Sequence, residues 1–218
     1  MALILFLLGR PGCGKSTAMA HIRELAHYRQ LSITRLKDYE KLYRMFQAEE
    51  ARAENGPRRF RGTAHGGFDI LDFTVMDEVL VELRQEIETA LATQENGLII
   101  VEFARDEYRK PLQQFPRSIL QQAYFLFVEA NLETCMQRIH KRIKNPIRTD
   151  NHFVSDDILR RYYDKNYIPY IRDHLAQDLD IESQRIMIAE NNGSQAQFLE
   201  KVEQFVNSFY FVPASLRR

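Results

Sequence analysis

The chain has 218 residues, 44% of them hydrophobic and 28% charged, which suits one α/β domain with a substantial core. Its 30 basic and 30 acidic side chains cancel, so it lacks the overall positive field that nucleic acid or an anionic membrane surface would select. Two cysteines, Cys13 and Cys135, speak against a disulfide framework or a cysteine metal cluster, and no apolar run approaches the roughly 18 residues of a membrane span.

Ala2 to Leu8 is a continuous apolar run, the pattern of a strand buried on both faces. It is unlike a signal segment, because no basic residues precede it and it runs straight into Gly9-Arg10-Pro11-Gly12-Cys13-Gly14-Lys15-Ser16-Thr17. Those nine residues satisfy G-x-x-x-x-G-K-[ST]. Met19, Ile22, Leu25 and Ala26 follow at helical spacing, so the motif has the strand before it and the helix after it that it requires. Gly9, Gly12 and Gly14, with Pro11 and Cys13 between them, let successive backbone N–H groups curl around phosphate oxygens at a positive helix end. Lys15 is expected to reach β- and γ-phosphates, Ser16 to ligate Mg²⁺, and Thr17 to contact an α-phosphate or cap the turn. The stretch is a candidate nucleoside-triphosphate site, and a cysteine inside it fits a reducing, cytoplasmic setting.

Residues 31–36 read as a second strand, with Asp38 and Tyr39 at its C-terminal end, where open α/β sheets form their ligand crevice. An amphipathic helix is predicted over 39–54, with Leu42, Met45 and Phe46 inward. Asn55-Gly56-Pro57 breaks it. Arg58, Arg59 and Arg61 then gather before Gly62, Gly66 and Gly67, in a loop that either contacts an anionic or polyhydroxylated acceptor or simply faces water. Residues 75–92 resume helical periodicity through Val79, Leu83, Ile87 and Leu91.

After the Asn96-Gly97 turn, Leu98 to Val101 reads as a third buried strand ending in Glu102. A carboxylate there can position Mg²⁺ through water or accept the proton of an attacking hydroxyl. Arg105 is a second candidate, for substrate contact, and an ion pair between the two is the structural alternative. A short helical connection over 110–122 is broken by Pro111 and Pro116, and 124–128 is a fourth buried strand. The helix from Leu132 to about Arg142 puts Arg138 and Arg142 on one face. Residues 145–153 read as a loop, and Ser155 caps a helix running to about Tyr167. A helix, basic loop and helix after the fourth strand is where a phosphoryl-transfer enzyme needs a lid, here about 138–156. Arg138 and Arg142 are therefore candidates for stabilising a transferring phosphoryl group. Residues 185–189 form a fifth strand, and Asn191 to Ser194 turn into a last helix with Phe198, Val202 and Phe205 inward.

With these elements placed, the chain resembles the P-loop kinase superfamily. The architecture is that of nucleoside monophosphate kinases and small-molecule relatives such as deoxynucleoside, shikimate and gluconate kinases. The likeness rests on the phosphate loop, on FVEANLETCMQRIHKR as strand and lid helix, on IAENNGS as last strand and base-side turn, and on IIVEFAR as the third-strand segment. It spans most of residues 1–207. The resemblance implies a three-layer α/β/α fold with a five-stranded parallel sheet in order 2-3-1-4-5 and a small helical lid. It implies one domain over 1–218, with an acceptor-binding insertion at about 38–95. It further implies ATP- and Mg²⁺-dependent transfer to a small-molecule acceptor (a nucleoside, nucleotide or sugar) by a monomer or homodimer. Asp38 then occupies the position where several relatives bind or deprotonate the acceptor, and competes with Glu102 as base. A nucleotide-dependent switch, or a kinase acting on a polynucleotide end, are the alternatives left open.

Overall fold

A computed structural model describes residues 2–52, 56–144 and 153–210. Its strands are β1 (Leu3–Leu8), β2 (Ile33–Lys37), the short β3 (Phe60–Gly62) and β4 (Phe68–Ile70), β5 (Leu98–Phe103), β6 (Ala123–Glu129) and β7 (Ile186–Glu190). The long helices are α1 (Lys15–Tyr28), α2 (Asp38–Glu50) and α3 (Val75–Thr93). Short α4 (Arg109–Gln113) and α5 (Arg117–Leu120) precede α6 (Leu132–Lys144), and α7 (Asp156–Tyr162), α8 (Ile168–Asp173), α9 (Leu175–Leu179) and α10 (Gln195–Tyr210) complete the set.

Five strands form one parallel sheet in the order β2-β5-β1-β6-β7. Counting only these strands, that is the predicted order 2-3-1-4-5. Every crossover passes over a helix, as parallel pairing requires. The sheet strands are apolar along their length because both faces are covered, with alternate residues supplying the two faces. Phe6, Ile99, Val101, Phe103 and Phe125 pack beneath α3, α4 and α5, whereas Leu5, Leu7, Ile100, Leu126 and Val128 pack against α1 and α10. Phe6 is the hub of the first side. It stacks on Phe125 with ring centroids 5.2 Å apart and meets Phe115 edge-on at the same distance.

Several boundaries move from their predicted positions, each for a local reason. Strand β2 begins at Ile33 rather than residue 31, because Leu31 N–H closes the end of α1 on the Ala26 carbonyl across Gln30 at φ 55°. Helix α2 starts directly at Asp38 and ends at Glu50, four residues short of the prediction; Asn55 lies outside the described residues. The segment predicted as an irregular basic loop is an antiparallel hairpin pairing Phe60 with Ile70 and Gly62 with Phe68. Phe60 and Phe68 turn inward onto Phe46 of α2, and this burial gives a three-residue strand its stability. The helix predicted to reach Tyr167 stops at Tyr162, and Pro169 sits in the first turn of α8, where a missing N–H costs nothing. Residues 145–152 of the predicted lid, and the tail beyond residue 210, lie outside the described residues. Phe209, the first of the predicted apolar tail residues, packs face to face on Tyr124 of β6 at 4.0 Å. No helix among the described residues is long and apolar enough to cross a membrane.

The stacked ring pair sets a stability test. Phe125→Ala leaves a cavity under Phe6 and is expected to cost about 3–5 kcal/mol. That corresponds to a fall in Tm of roughly 6–20 °C for a domain of this size, read by thermal denaturation.

Candidate active site

Between the end of β1 and the start of α1 the chain reverses direction within six residues. Three glycines make this possible. Gly9, Gly12 and Gly14 have φ values of 138°, 82° and 118°, and a Cβ would drive Gly9 into the Val128 carbonyl and Gly14 into the Asn191 amide. The result is a concave run of backbone opening α1, whose first N–H groups lack helical partners. Pro11, Gly12, Gly14, Lys15, Ser16 and Thr17 form one wall of a cavity of about 750 Å³. Lys15 folds back over the loop, its Nζ donating to the Gly9 carbonyl at 2.7 Å and the Arg10 carbonyl at 3.2 Å. Gly9 and Cys13 are behind the wall; Gly9 donates its N–H elsewhere and the Cys13 side chain is fully buried. This cradle, an amine and two hydroxyls suit a triphosphate. Among the described residues no three His, Cys, Asp or Glu side chains are grouped to hold a metal. A Mg²⁺ here would rely on Ser16, phosphate oxygens and water, which suits its preference for retained waters.

Opposite this wall stand the two predicted carboxylates. Glu102 closes β5 and is in register with Leu7 of β1 on one side and Lys37 of β2 on the other. Asp38 follows Lys37 and opens α2. Both line the cavity, and both are largely buried. Each is gripped from behind by an arginine. Arg35 binds Glu102 Oε2 through Nε at 3.1 Å and Nη2 at 2.6 Å. Arg105 donates to Asp38 Oδ2 at 2.7 Å, and the Ala104 N–H joins it at 3.2 Å.

Arg138, Lys141 and Arg142 of α6 reach the cavity from the third side. Arg138 donates to the Cys13 carbonyl at 3.2 Å and to the Asn191 carbonyl at 2.8 Å, so the lid helix is tied to the back of the phosphate loop.

The remaining predicted substrate residues are elsewhere. Arg105 is 1% exposed and is absent from the cavity wall, with its second donor group on the Met76 carbonyl at the head of α3. Its guanidinium holds Asp38 in place. Arg58, Arg59 and Arg61 are also absent from the cavity wall. Arg58 and Arg59 pair with Glu50 and with Glu49 and Glu78 on α2 and α3, and Arg61 pairs with Asp69 across the hairpin.

A family model described as an AAA domain matches residues 5–160. The chain belongs to this AAA-domain family. It lies within the P-loop kinase superfamily. Adenylate kinase isoenzyme 1 of Rattus norvegicus is 28% identical over 151 residues, covering 69% of this chain and 70% of that protein. Among solved structures, a sugar kinase from Janibacter sp. HTCC2649 superimposes with a TM-score of 0.53 at 16% identity, covering 95% of each chain. A gluconokinase from Sinorhizobium meliloti 1021 gives 0.52 at 14% identity, covering 95% of this chain and 92% of the other. These two likenesses are of fold.

The AAA-domain loop is braced by residues that the motif does not contain. The Gly9 N–H donates to Tyr108 Oη at 2.8 Å in a fully buried setting. Tyr108 packs edge-on against Tyr167, whose hydroxyl donates to Glu129 Oε2 at 2.9 Å. Glu129 in turn faces Arg10 at 3.6 Å, and the Arg10 guanidinium lies 5.4 Å over the Tyr167 ring. Burial raises the Tyr108 and Tyr167 hydroxyls far above the ordinary phenol range, so both stay protonated, Tyr108 accepting from Gly9 and Tyr167 donating to Glu129. Asn191 Nδ2 donates to the Cys13 carbonyl at 2.8 Å. Only the position of Asn191, just past the last strand, had marked it in the sequence.

Two outcomes follow for this family member. Tyr108→Phe leaves the Gly9 N–H buried without an acceptor, at about 1–3 kcal/mol. Nucleotide titration should therefore show ATP binding weakened about tenfold, with thermal unfolding still cooperative. Burial pushes the Cys135 thiol up to about 12 and raises Cys13 in the same direction. Neither should react with iodoacetamide at about pH 8 in the folded protein, and both should react on unfolding, as mass spectrometry would count.

Proposed function

We propose that this AAA-domain protein is a kinase that moves the γ-phosphoryl group of ATP to a hydroxyl of a small molecule. The observation that carries the reading is one cavity shared by a phosphate loop, two arginine-backed carboxylates and the basic face of a helix. The names of the rat relative and of the two structural neighbours, all kinases, accord with phosphoryl transfer.

The roles follow from position. Backbone N–H groups of residues 12–17 hold the phosphates, and Lys15 exchanges its carbonyl partners for phosphate oxygens as nucleotide enters. Ser16 would hold a Mg²⁺ ion, which would supply neutralisation of the phosphate charge. Glu102, in register with β1 two residues before Gly9, is the carboxylate nearer the loop and takes the proton of the acceptor hydroxyl. The hydroxyl oxygen forms the new bond to the γ-phosphorus while the bond from that phosphorus to the ADP oxygen breaks. Asp38, one strand further out, orients the acceptor. Arg138 and Arg142 stabilise charge on the transferring group as the lid closes. Residues 38–95 supply the acceptor side, and 138–156 the lid.

Purified protein assayed for ADP formation against nucleosides, nucleoside monophosphates, sugars and small acids tests this. One acceptor should stimulate turnover, chelation of Mg²⁺ should abolish it, and Lys15→Ala should lower it by about a hundredfold or more. Glu102→Gln should cut kcat by roughly 10²–10⁴ at unchanged ATP affinity. Asp38→Asn should act mainly on the acceptor KM. ATP hydrolysis at the same rate with and without every acceptor would favour a conformational switch instead.

A further inference from the structure

Resting on the kinase reading, the charge inventory of the acceptor half narrows the substrate. Three carboxylates border that half of the cavity: Asp38, Asp69 and Glu102. The arginines near it are turned to them from outside. Arg35 holds Glu102, Arg105 holds Asp38, and Arg61 holds Asp69 at 2.9 Å from the solvent side. None of the three arginines lines the cavity. Among the described residues Lys37 is the cation on this side, and its ammonium lies 5.5 Å over the Tyr39 ring. The basic residues Lys15, Arg138, Lys141 and Arg142 belong to the phosphate loop and the lid helix. The rest of the wall is apolar and aromatic, including Leu42, Phe68, Phe73, Ile158 and Tyr163.

The hydrogen bonds made by described residues fall on one oxygen of each catalytic-side carboxylate, Oδ2 of Asp38 and Oε2 of Glu102. The other oxygen of each can accept from a ligand. Carboxylates accept only, so what they select is a group with O–H or N–H to give. An anionic acceptor placed here would meet three carboxylates with no arginine fork among the described residues turned to receive it.

We propose that the acceptor is an uncharged alcohol with two hydrogen-bond donors and an apolar or planar body, and not a phosphate ester or a carboxylate. One donor is the hydroxyl that is phosphorylated, facing Glu102. The second is a neighbouring hydroxyl or amide N–H bound by Asp38. The apolar body lies against Phe68, Phe73 and Leu42. In the transfer, the O–H proton goes to Glu102, the oxygen bonds to the γ-phosphorus of ATP, and ADP leaves with the electrons of the broken P–O bond.

The test is equilibrium binding by calorimetry, without turnover, on matched pairs: a nucleoside and its 5′-monophosphate, a sugar and its acid, an aromatic alcohol and its phosphate ester. The neutral member of at least one pair should bind at least about tenfold more tightly than the anion, a margin of about 1.4 kcal/mol. Asp38→Asn should narrow that gap by weakening the neutral member and strengthening the anion. Glu102→Gln, whose partner Arg35 is partly exposed, repeats the test if Asp38→Asn unfolds. Tighter binding of the anion in every pair that binds overturns the proposal, and so does a panel in which nothing neutral binds below about 1 mM, the upper end of ordinary KM values. ATP binding in the same samples separates the two claims. Loss of ATP binding would strike the kinase reading, whereas an anionic acceptor with ATP bound would leave that reading in place.

Discussion

The constraint on which the rest depends is the shape of the backbone between Leu8 and Lys15. It must leave a parallel strand, expose consecutive N–H groups and enter a helix, with no room for a Cβ at three of its positions. Glycine permits such a path without selecting it, since the unfolded chain has the same freedom. Selection comes from behind. Tyr108 accepts the Gly9 N–H, and Asn191 and Arg138 both donate to the Cys13 carbonyl. These braces arrive from the β5–α4 connection, the end of β7 and α6. The loop is therefore the point where separate crossovers meet, and its form is a property of the whole sheet. A hydrogen bond of this kind contributes only about 1 kcal/mol net, but a buried donor stripped of its partner costs more than that. The braces act mainly by making alternative loop shapes expensive.

The same logic governs the carboxylates. Bringing Asp38 and Glu102 below the surface costs desolvation, and ion pairing with Arg105 and Arg35 does no more than offset it. These pairs are poor candidates for sources of stability. Their effect is geometric: each arginine fixes one oxygen and the plane of the carboxyl group of a residue that lines the cavity. Arg105 also reaches the Met76 carbonyl, so the head of α3 and the start of α2 are held to the same guanidinium. A side chain that reads in sequence as a candidate for substrate contact is here a bracket between two helices.

That contrast explains what could be read in advance. The parallel strands, the phosphate loop and the two cavity carboxylates were legible because each is encoded locally, by an apolar run or by a residue at a strand's end, whereas the order of the strands came only with the family resemblance. The arginines were not. Whether Arg58, Arg59, Arg61 or Arg105 meets a ligand or a glutamate depends on partners up to 67 residues away, which spacing does not reveal. Tyr108 was hidden for the same reason, since a buried phenol carries no signature apart from the N–H it serves. The hairpin was legible in principle. Phe60, Phe68 and Ile70 alternate about a Gly66-Gly67 turn, but the arginines between them drew the segment toward a loop reading.

The hairpin also joins two sides of the cavity that the sequence presents as separate. Asp69 accepts from Arg61 on its own hairpin and, through Oδ1, from the Ser155 N–H at 3.1 Å. Ser155 in turn caps α7 by accepting from the Ile158 N–H, and Ile158 lines the cavity. Helix α7 is tied onward to α6 by His140 and Asp156 at 2.7 Å, and α6 holds the phosphate loop through Arg138. A continuous set of hydrogen bonds thus runs from the acceptor-side hairpin, through both lid helices, to the loop. Swinging α7 outward exposes Asp69, whose burial is tolerable only while both its oxygens are engaged. Helix α7 is for that reason held against the hairpin. An acceptor that packs on Phe68 and Ile158 together would add to the same contact that brings Arg138 and Arg142 over the phosphates.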